Sequence, residues 1–289
     1  MLSTYKFEHG NDFVRICNIP NFDLSSTFEN GQCFRWEKIS PDHYIGVAMG
    51  KVLEVFKDGD DLVFYNTNIK EFESLWIPYL TLDVDYEQIK QVLSKDPMLK
   101  KAVEFAPGLH LLRQNFHETL ICFILSSNNN IQRIKKIVNN LCQATGKDIS
   151  YNGKTYKSFP PITDMQKLTC EDFMSMGAGY RSKYLVHTIN ALCCKDIDVE
   201  HLKNCSLDQA RKVLQCYMGI GVKVADCILL YSGTRYDVFP SDVWIKKIMA
   251  SYLGESPSVE KILKYASEVF GRYAGIAQQY LFHYARFNL

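Results

Sequence analysis

The chain has 289 residues, of which 47% are apolar and 22% charged. This composition is typical of a globular protein with a substantial core, and it excludes disordered and fibrous classes. The formal net charge is only +1, so any contact with nucleic acid must come from a local basic surface rather than from global charge. No stretch is apolar for long enough to span a bilayer, and the start MLSTYKFEHG has no signal-peptide pattern. We therefore expect no membrane contact.

The ten cysteines follow no CxxC pattern, and several sit inside apolar runs. Free thiols of this kind are typical of a reducing compartment. We therefore expect an intracellular protein, located in the cytoplasm and nucleoid if the source is a bacterium. No cysteine follows Cys227, which bears on one alternative below.

The first part of the chain has the pattern of strands. The segment HYIGVAMGKVLEVFKDGDDLVFYNT (43–67) is rich in β-branched and aromatic residues and is broken at Gly50 and KDGDD, which predicts antiparallel strands. GQCFRWEKI (31–39) could add another strand. Further along, Asp83 or Asp85 can cap a helix. We assign residues 1–110 to an N-terminal antiparallel sheet domain.

From Leu111 onward, apolar residues recur with helical spacing. NNNIQRIKKIVNNLCQATG, for example, has its isoleucines, valine and leucine on one stripe. Several similar segments follow, each with a small or capping residue near an end. The sequence therefore predicts the α+β class, with the sheet domain followed by an all-helical domain at residues 111–289.

One pair of predicted helices, SLDQARKVLQCYMGIGVKVADCILLY, is joined by Met-Gly-Ile-Gly. Gly219 and Gly221 would allow a tight turn with positive φ and close approach of another backbone. The second helix then starts with free N–H groups at its positive dipole end, where a DNA phosphate would bind well. An ordinary corner between two helices explains the same glycines.

Lys223 lies in the first turn of that second helix, where the dipole disfavours a cation. Burial would disfavour the ammonium form further, and a partly neutral lysine is a nucleophile. Helical geometry suggests that Asp226 and Cys227 share its face, and a Cys227 thiolate could pair with the ammonium at this spacing. The alternative is a surface lysine that extends into solvent.

Asp242 follows later, in VFPSDVW. It can cap the next helix, or it can face a substrate that develops positive charge. Both interpretations require the same side chain at the same place.

GIGVKVADC followed by FPSDV resembles the helix-hairpin-helix superfamily of DNA base-excision glycosylases. GQCFRW, GLHLLRQNFHETLICFILSSNNNIQRI, GAGYRSKY and AGIAQQYLF match in order, and over nearly the whole chain the sequence resembles the 8-oxoguanine DNA glycosylase/AP lyase family. The resemblance implies a bacterial, monomeric DNA repair enzyme that removes 8-oxoguanine from double-stranded DNA, opposite cytosine, and nicks the strand. It implies no catalytic metal and no organic cofactor.

The resemblance assigns catalytic and base-binding roles. Lys223 would attack C1′ of the damaged nucleotide and form a Schiff base that undergoes β-elimination, while Asp242 would stabilise the positive charge that develops. The flipped base would meet a second group of residues, which on their own pattern are turn or core residues. Gly31 would accept from N7–H, Cys227 and Phe282 would sandwich the ring, and Gln278 would bind the Watson–Crick edge.

The same resemblance assigns the grip on DNA. Asn128 would fill the position left by the flipped base, although its segment also reads as a helix cap. Arg133 and Arg181 would bind the orphaned cytosine, and Tyr180 would wedge the opposite strand. Gly219 and its hairpin would hold the phosphate.

Four positions depart from the family pattern. Trp244 stands where eukaryotic relatives have a phosphate-contacting histidine, and an expected acid is replaced by Ala285; Met218 and Tyr231 are further departures. These differences suggest looser base recognition.

Three alternatives to this family stay open on the sequence. Sibling glycosylases for other bases are one, although many carry a four-cysteine iron–sulfur loop after the catalytic aspartate, and no cysteine follows Cys227 here. A non-catalytic DNA-binding module is the second, and an unrelated helical scaffold is the third.

Overall fold

A computed structural model describes residues 5–19 and 21–289. The N-terminal part contains a six-stranded sheet in which each neighbouring pair is antiparallel, in the order β1-β2-β6-β5-β4-β3. Its strands are β1 (Lys6–His9), β2 (Phe13–Cys17), β3 (Trp36–Ser40), β4 (His43–Ala48), β5 (Lys51–Asp58) and β6 (Asp61–Tyr65). The predicted antiparallel sheet is confirmed. The strand expected at 31–39 starts only at Trp36, because Gly31 has a left-handed φ of 85° that interrupts extended backbone.

Short helices surround this sheet. They are α1 (Leu24–Phe28), α2 (Ile69–Glu71), α3 (Ile77–Tyr79), α4 (Tyr86–Leu93) and α5 (Pro97–Phe105), with a π-turn at Phe72–Trp76 between α2 and α3. Asp85 caps α4 by accepting from the Gln88 N–H at 2.9 Å, as one of the two predicted alternatives required. Asp83 instead pairs with Arg113.

The second part of the chain is mainly helical. Its helices are α6 (Phe116–Ser126), α7 (Ile131–Thr145), α8 (Ile162–Met165), α9 (Cys170–Ser175), α10 (Ser182–Cys194), α11 (Val199–Asn204), α12 (Leu207–Gln215), α13 (Val222–Tyr231), α14 (Val243–Leu253), α15 (Val259–Val269) and α16 (Ala274–Asn288). Two 3₁₀ turns lie at Gly179–Arg181 and Gly271–Tyr273. The α+β class is confirmed. Among these residues, no helix is both long and apolar enough to cross a bilayer.

The sequence predicts an all-helical second part, but the structure contains a β-hairpin there. A hairpin of β7 (Asp148–Tyr151) and β8 (Lys154–Lys157) follows α7. Asn152 and Gly153 both have positive φ, 47° and 69°, which is the type I′ turn that an Asn-Gly pair favours. This hairpin packs its apolar side chains on the sheet, in a small cluster of Ile45, Val47, Val52, Ile149, Tyr151 and Tyr156.

Two larger cores lie inside the molecule, one beneath the sheet and one among the helices. The last helix, α16, packs against both α14 and α5, so it joins the C-terminal helices to a helix from the N-terminal part. The site described below lies beside α16. A division between two domains at residue 110 stays a prediction.

Candidate active site

A cavity of about 820 Å³ is lined by residues of α13, α14 and α16 and of the segment before β3. All six residues predicted to act in catalysis or in base binding line it: Gly31, Lys223, Cys227, Asp242, Gln278 and Phe282. They come from four separate parts of the chain, so only the tertiary structure brings them together.

Helix α13 supplies one wall of the cavity. Lys223, Cys227 and Tyr231 line it, and each follows the previous one by four residues, which puts all three on one helical stripe. Lys223 is half-buried, and its Nζ lies 5.7 Å from the centre of the Phe123 ring. That distance is within the range of a cation–π contact, which holds the amine at the cavity wall.

The expectation that Asp226 shares the face of Lys223 is wrong. Asp226 is fully buried and forms a bidentate ion pair with Arg211 of α12, at 2.7 and 2.9 Å. Each helical residue turns the chain by about 100°, so Asp226, three residues after Lys223, points about 60° to one side of it. The cavity-lining Cys227, four residues after Lys223, points to the other side. Burial raises the pKa of Asp226, and Arg211 offsets part of that increase. The pair ties the two helices of the hairpin together.

Asp242 caps a helix and also lines the cavity, while its role toward a substrate stays a prediction. Its carboxylate caps α14 by accepting from the Ile245 N–H at 2.9 Å, which confirms the predicted cap, and it also lines the cavity. Burial raises the pKa of Asp242, while the Ile245 N–H and the positive charge of Lys223 counteract that rise. The carboxylate is therefore held in place by the backbone, beside the lysine.

Cys227 is 3% exposed. Burial raises its pKa to about 11, and the neighbouring Lys223 lowers it only in part. This direction favours the neutral thiol at neutral pH, so a thiolate–ammonium pair is disfavoured. A neutral thiol presents a small apolar surface to the cavity.

Gly31 is held in its unusual conformation by its neighbours. Its φ of 85° is left-handed, and a Cβ at this position would lie 2.9 Å from Cδ1 of Ile131. The next residue, Gln32, is fully buried; its side chain donates to the His110 carbonyl and accepts from the Leu112 N–H, each at 2.8 Å. The segment cannot shift easily, because any movement would break these buried hydrogen bonds.

Helix α16 supplies the opposite wall. Gln278 is only 2% exposed, and its Oε1 has no hydrogen-bond partner among the described residues. Phe282, one turn further on, is partly exposed in the cavity, near Gly31. A buried amide oxygen without a partner is costly unless water or a ligand satisfies it. The cavity wall thus contains an apolar ring and, one turn earlier on α16, a buried amide oxygen without a partner in the described chain.

The two glycines of the hairpin differ. Gly219 has a φ of 88°, and a Cβ there would lie 2.7 Å from the Tyr184 ring, so both its conformation and its packing require glycine. Gly221 caps α13 with a φ of −91° and has open space around it. The prediction of positive φ is therefore confirmed for Gly219 and wrong for Gly221. At Gly219, the close neighbour is a side chain rather than backbone.

Comparison with known proteins identifies the family. Residues 15–120 match the family model described as 8-oxoguanine DNA glycosylase, N-terminal domain. Residues 121–272 match the model described as HhH-GPD superfamily base excision DNA repair protein. The chain belongs to the 8-oxoguanine DNA glycosylase family.

Individual relatives agree with this assignment. The N-glycosylase/DNA lyase OGG1 of Arabidopsis thaliana is 32% identical over 278 residues, which is 90% of this chain and 76% of that protein. The crystal structure of Clostridium acetobutylicum 8-oxoguanine glycosylase/lyase, in complex with dsDNA containing cytosine opposite 8-oxoG, superimposes with a TM-score of 0.94 at 43% identity and covers 98% of both chains. A 3-methyladenine DNA glycosylase from Archaeoglobus fulgidus, 21% identical with a TM-score of 0.76 over 94% of this chain and 98% of that one, shares the fold.

This glycosylase is therefore a bifunctional DNA repair enzyme, an N-glycosylase and DNA lyase. An unrelated helical scaffold and a non-catalytic binding module are both excluded by family membership. All ten cysteines of the glycosylase are free thiols. In residues 5–19 and 21–289, no group of three or more His, Cys, Asp or Glu side chains is placed to hold a metal ion.

Three of the predicted DNA-binding residues of the glycosylase lie outside the cavity and are exposed. Asn128 has a φ of 47° in the loop between α6 and α7. Tyr180 is 47% exposed, and its hydroxyl donates to the Ser127 carbonyl at 3.1 Å. Arg133 donates to the Gly177 carbonyl at 3.2 Å. The three are thus available at one surface beside the cavity mouth.

Arg181 is placed differently from its neighbours. It is only 2% exposed, and its guanidinium donates to the Ser127 carbonyl at 2.8 Å and to the Asn128 carbonyl at 2.7 Å. Arg181 therefore holds the Asn128 loop.

Two cavity residues were missed or left without a role by the sequence analysis. Phe123 of α6 carries the Lys223 ammonium on its ring, and Tyr231 stacks on the same ring at 4.9 Å. Nothing in the sequence singles out Phe123, because α6 is apolar on most of its faces. Tyr231 is named from the resemblance only as a replacement of a methionine near the pocket; its spacing, eight residues after Lys223 on the same stripe, points to the same place.

Proposed function

We propose that this glycosylase/lyase excises 8-oxoguanine from double-stranded DNA with Lys223 as nucleophile and Asp242 as the stabilising carboxylate. The observation that carries the proposal is their shared cavity, which also contains Gly31, Cys227 and Phe282. An amine and a carboxylate held together beside an apolar slot are what removal of a flipped base requires.

The chemistry follows from the charges. As the glycosidic bond breaks, its electron pair leaves with the base and positive charge develops at C1′. The Asp242 carboxylate stabilises that charge, and its capping bond to Ile245 keeps it oriented without further rearrangement. The Lys223 ammonium gives one proton to the departing base, and its Nζ atom then bonds to C1′. The C1′–O4′ bond breaks as a second Nζ proton passes to O4′, which opens the sugar ring and leaves a protonated imine. This imine acidifies C2′–H, and loss of that proton expels the 3′ phosphate. The strand is cut on that side.

Selection of the base rests on the opposite walls. The Gly31 carbonyl accepts from N7–H of 8-oxoguanine, whereas guanine has a lone pair at that atom and would leave two acceptors facing each other. Phe282 and Cys227 cover the two faces of the ring. The unpaired Oε1 of Gln278 receives a donor from the Watson–Crick edge.

The outer residues hold the DNA. The exposed Tyr180 wedges the strand opposite the lesion, Asn128 occupies the vacated position, and Arg133 and Arg181 bind the orphaned cytosine. The hairpin at Gly219 and Gly221 binds a phosphate through the open start of α13. We propose that the enzyme works as a monomer, since one chain supplies the whole cavity, and that it acts in the bacterial cytoplasm at the nucleoid, where its ten free thiols stay reduced.

Borohydride trapping tests the proposal. The enzyme is incubated with a duplex that has one 8-oxoguanine opposite cytosine, and sodium borohydride reduces any imine to a stable adduct that is resolved by gel electrophoresis. We expect an adduct with the damaged duplex and no adduct with an undamaged duplex. Lys223→Gln should abolish the adduct, because an amide cannot form the imine. Lys212→Gln, on the exposed face of α12, is the matched control and should trap normally.

Two outcomes would contradict the proposal. Trapping by Lys223→Gln would assign the nucleophile to another amine. Trapping of wild-type enzyme on a duplex with a different oxidised base, but not on 8-oxoguanine, would keep the lyase chemistry and place the substrate with a sibling specificity.

A further inference from the structure

The three cavity-lining residues of α13 follow one another along the cavity wall, in the direction of the helix axis. Lys223 begins the stripe, Cys227 follows one turn later, and Tyr231 ends it. A rise of 1.5 Å per residue separates Lys223 from Tyr231 by roughly 12 Å along the helix axis. On the proposed function, Lys223 acts at C1′, and the base extends away from C1′. Cys227 and Tyr231 continue the cavity wall beyond Lys223, so a base that lies along this wall would have its far end at Tyr231.

Tyr231 is fixed on two sides. It is 4% exposed, and its ring stacks on Phe123 with 4.9 Å between centroids and 12° between planes. Its hydroxyl donates to Oε1 of Gln279 at 2.6 Å. Burial holds the pKa of Tyr231 well above its usual value, so the hydroxyl keeps its proton and remains a donor. A side chain held in this way forms a rigid end wall rather than a mobile one.

The partner of this hydroxyl lies next to a base-binding residue. Gln279 is fully buried, and its Nε2 has no hydrogen-bond partner in the part of the chain that the structure describes. The bond from Tyr231 is therefore the contact that orients the Gln279 side chain. Gln278, the residue before it on α16, lines the cavity with its own Oε1 unpaired. Loss of the Tyr231 bond would let this part of α16 repack.

We propose that Tyr231 is a specificity-determining residue that closes the inner end of the base pocket and, through Gln279, positions Gln278 toward the base. The inference rests on the proposed function and adds to it a residue that decides which base is accepted. Because Tyr231 acts on the base rather than on the sugar, it should matter for excision of 8-oxoguanine and much less for cleavage at a site where no base remains.

The test compares two rates in the same enzyme. The first is single-turnover excision of 8-oxoguanine opposite cytosine; the second is nicking of a duplex that already contains an abasic site. For Tyr231→Phe we expect the ratio of excision to nicking to fall about ten-fold, because a buried hydrogen-bond partner is left unsatisfied. The matched control is Tyr280→Phe: Tyr280 is also fully buried on α16, but its hydroxyl donates to the Leu109 carbonyl, away from the cavity. Its ratio should match that of the wild type.

A double variant separates positioning from stability. Tyr231→Phe combined with Gln279→Met removes both partners of the hydrogen bond, so no polar group of the pair stays unsatisfied and the melting temperature should recover toward the wild-type value. The excision-to-nicking ratio should stay low, since Gln278 has still lost its neighbour's fixed orientation. A purely structural role would restore the ratio together with the melting temperature.

The failures are distinguishable. An unchanged ratio in Tyr231→Phe, or an equal fall in Tyr280→Phe, would overturn the role of Tyr231 while wild-type trapping at Lys223 remained intact. Absence of trapping by the wild-type enzyme would instead overturn the proposed function, and the inference with it.

Discussion

The cavity walls and the DNA-facing loops beside them use their hydrogen bonds in opposite ways. In the walls, the backbone around Gly31 is anchored by the hydrogen-bonded Gln32, while the buried Oε1 of Gln278 has no partner among the described residues. In the loops, the guanidinium of Arg181 donates hydrogen bonds to the carbonyls of Ser127 and Asn128. The walls thus contain a buried polar atom without a hydrogen-bond partner in residues 5–19 and 21–289, whereas the Arg181 donors in the loops are bonded to the protein's own backbone.

This difference implies two modes of binding. On the proposed function, a base that enters the cavity would meet residues that are already held in position, so little reorganisation would be needed. On the proposed function, DNA would meet loops whose Arg181 and Tyr180 side chains are already hydrogen-bonded to the protein's own carbonyls. Substitutions in the walls should therefore change reaction rates most strongly, whereas those in the loops should change stability and the choice of opposite base.

Asp242→Asn gives the largest expected effect and tests the wall directly. Asparagine caps a helix about as well as aspartate, so the α14 cap should survive and the melting temperature should change little. Loss of the negative charge removes the stabilisation of developing positive charge, and single-turnover excision of 8-oxoguanine should fall roughly 10²- to 10³-fold. A fall of less than about ten-fold, with stability retained, would mean that Asp242 acts only as a cap.

Gly31→Ala should have the next largest effect. The positive φ costs a side chain about 1–2 kcal/mol, and the new Cβ would press on Ile131 beside the base. Excision should fall roughly 10- to 100-fold through misplacement of the carbonyl, measured at single turnover together with denaturant unfolding.

Gly59→Ala is the control for this glycine. Gly59 has a similar φ of 62°, but nothing lies within 4 Å of its Cβ position, in the turn between β5 and β6. It should lose comparable stability and no excision rate. If Gly31→Ala and Gly59→Ala excised 8-oxoguanine at equal rates, Gly31 would have no role in base recognition.

Arg181→Ala gives the smallest expected effect, and it concerns the loops. Removal of the guanidinium leaves the Asn128 carbonyl without its Arg181 donor and the Ser127 carbonyl with the Tyr180 hydroxyl alone, so the free energy of unfolding should drop by about 1–3 kcal/mol. Arg133→Ala, at an exposed position with one hydrogen bond, should change it by less than about 0.5 kcal/mol. Urea unfolding measures both. If the two variants proved equally stable, the loops would not be held by Arg181, and the contrast with the walls would weaken.

The preference for the base opposite 8-oxoguanine is a second property in which Arg133 and Arg181 can be compared. If both bind the orphaned cytosine, each variant should narrow the preference for cytosine over adenine opposite 8-oxoguanine, measured as a ratio of dissociation constants. A change in Arg133→Ala alone would leave Arg181 with a purely structural role in the Asn128 loop.

Local signals in the sequence determined much of this protein. The caps at Asp85 and Asp242, the glycine turn at Gly219 and the antiparallel strands follow from residues close together in the chain, because caps and turns depend on a few neighbouring dihedral angles. The hairpin around Asn152 and Gly153 also had such a signal, and it was overlooked within a run of helices. The order of Lys223 and Asp242, with the family resemblance, led to the six cavity residues.

The tertiary structure alone decided what faces what. Periodicity places Asp226 and Cys227 one on each side of Lys223, but only packing shows that Arg211 takes the aspartate and the cavity takes the cysteine. The burial of Arg181 and the bond between Tyr231 and Gln279 depend on contacts between remote segments. A helix pattern specifies angles around its own axis. The residues that contact each face of the helix are set by the close packing of the whole chain.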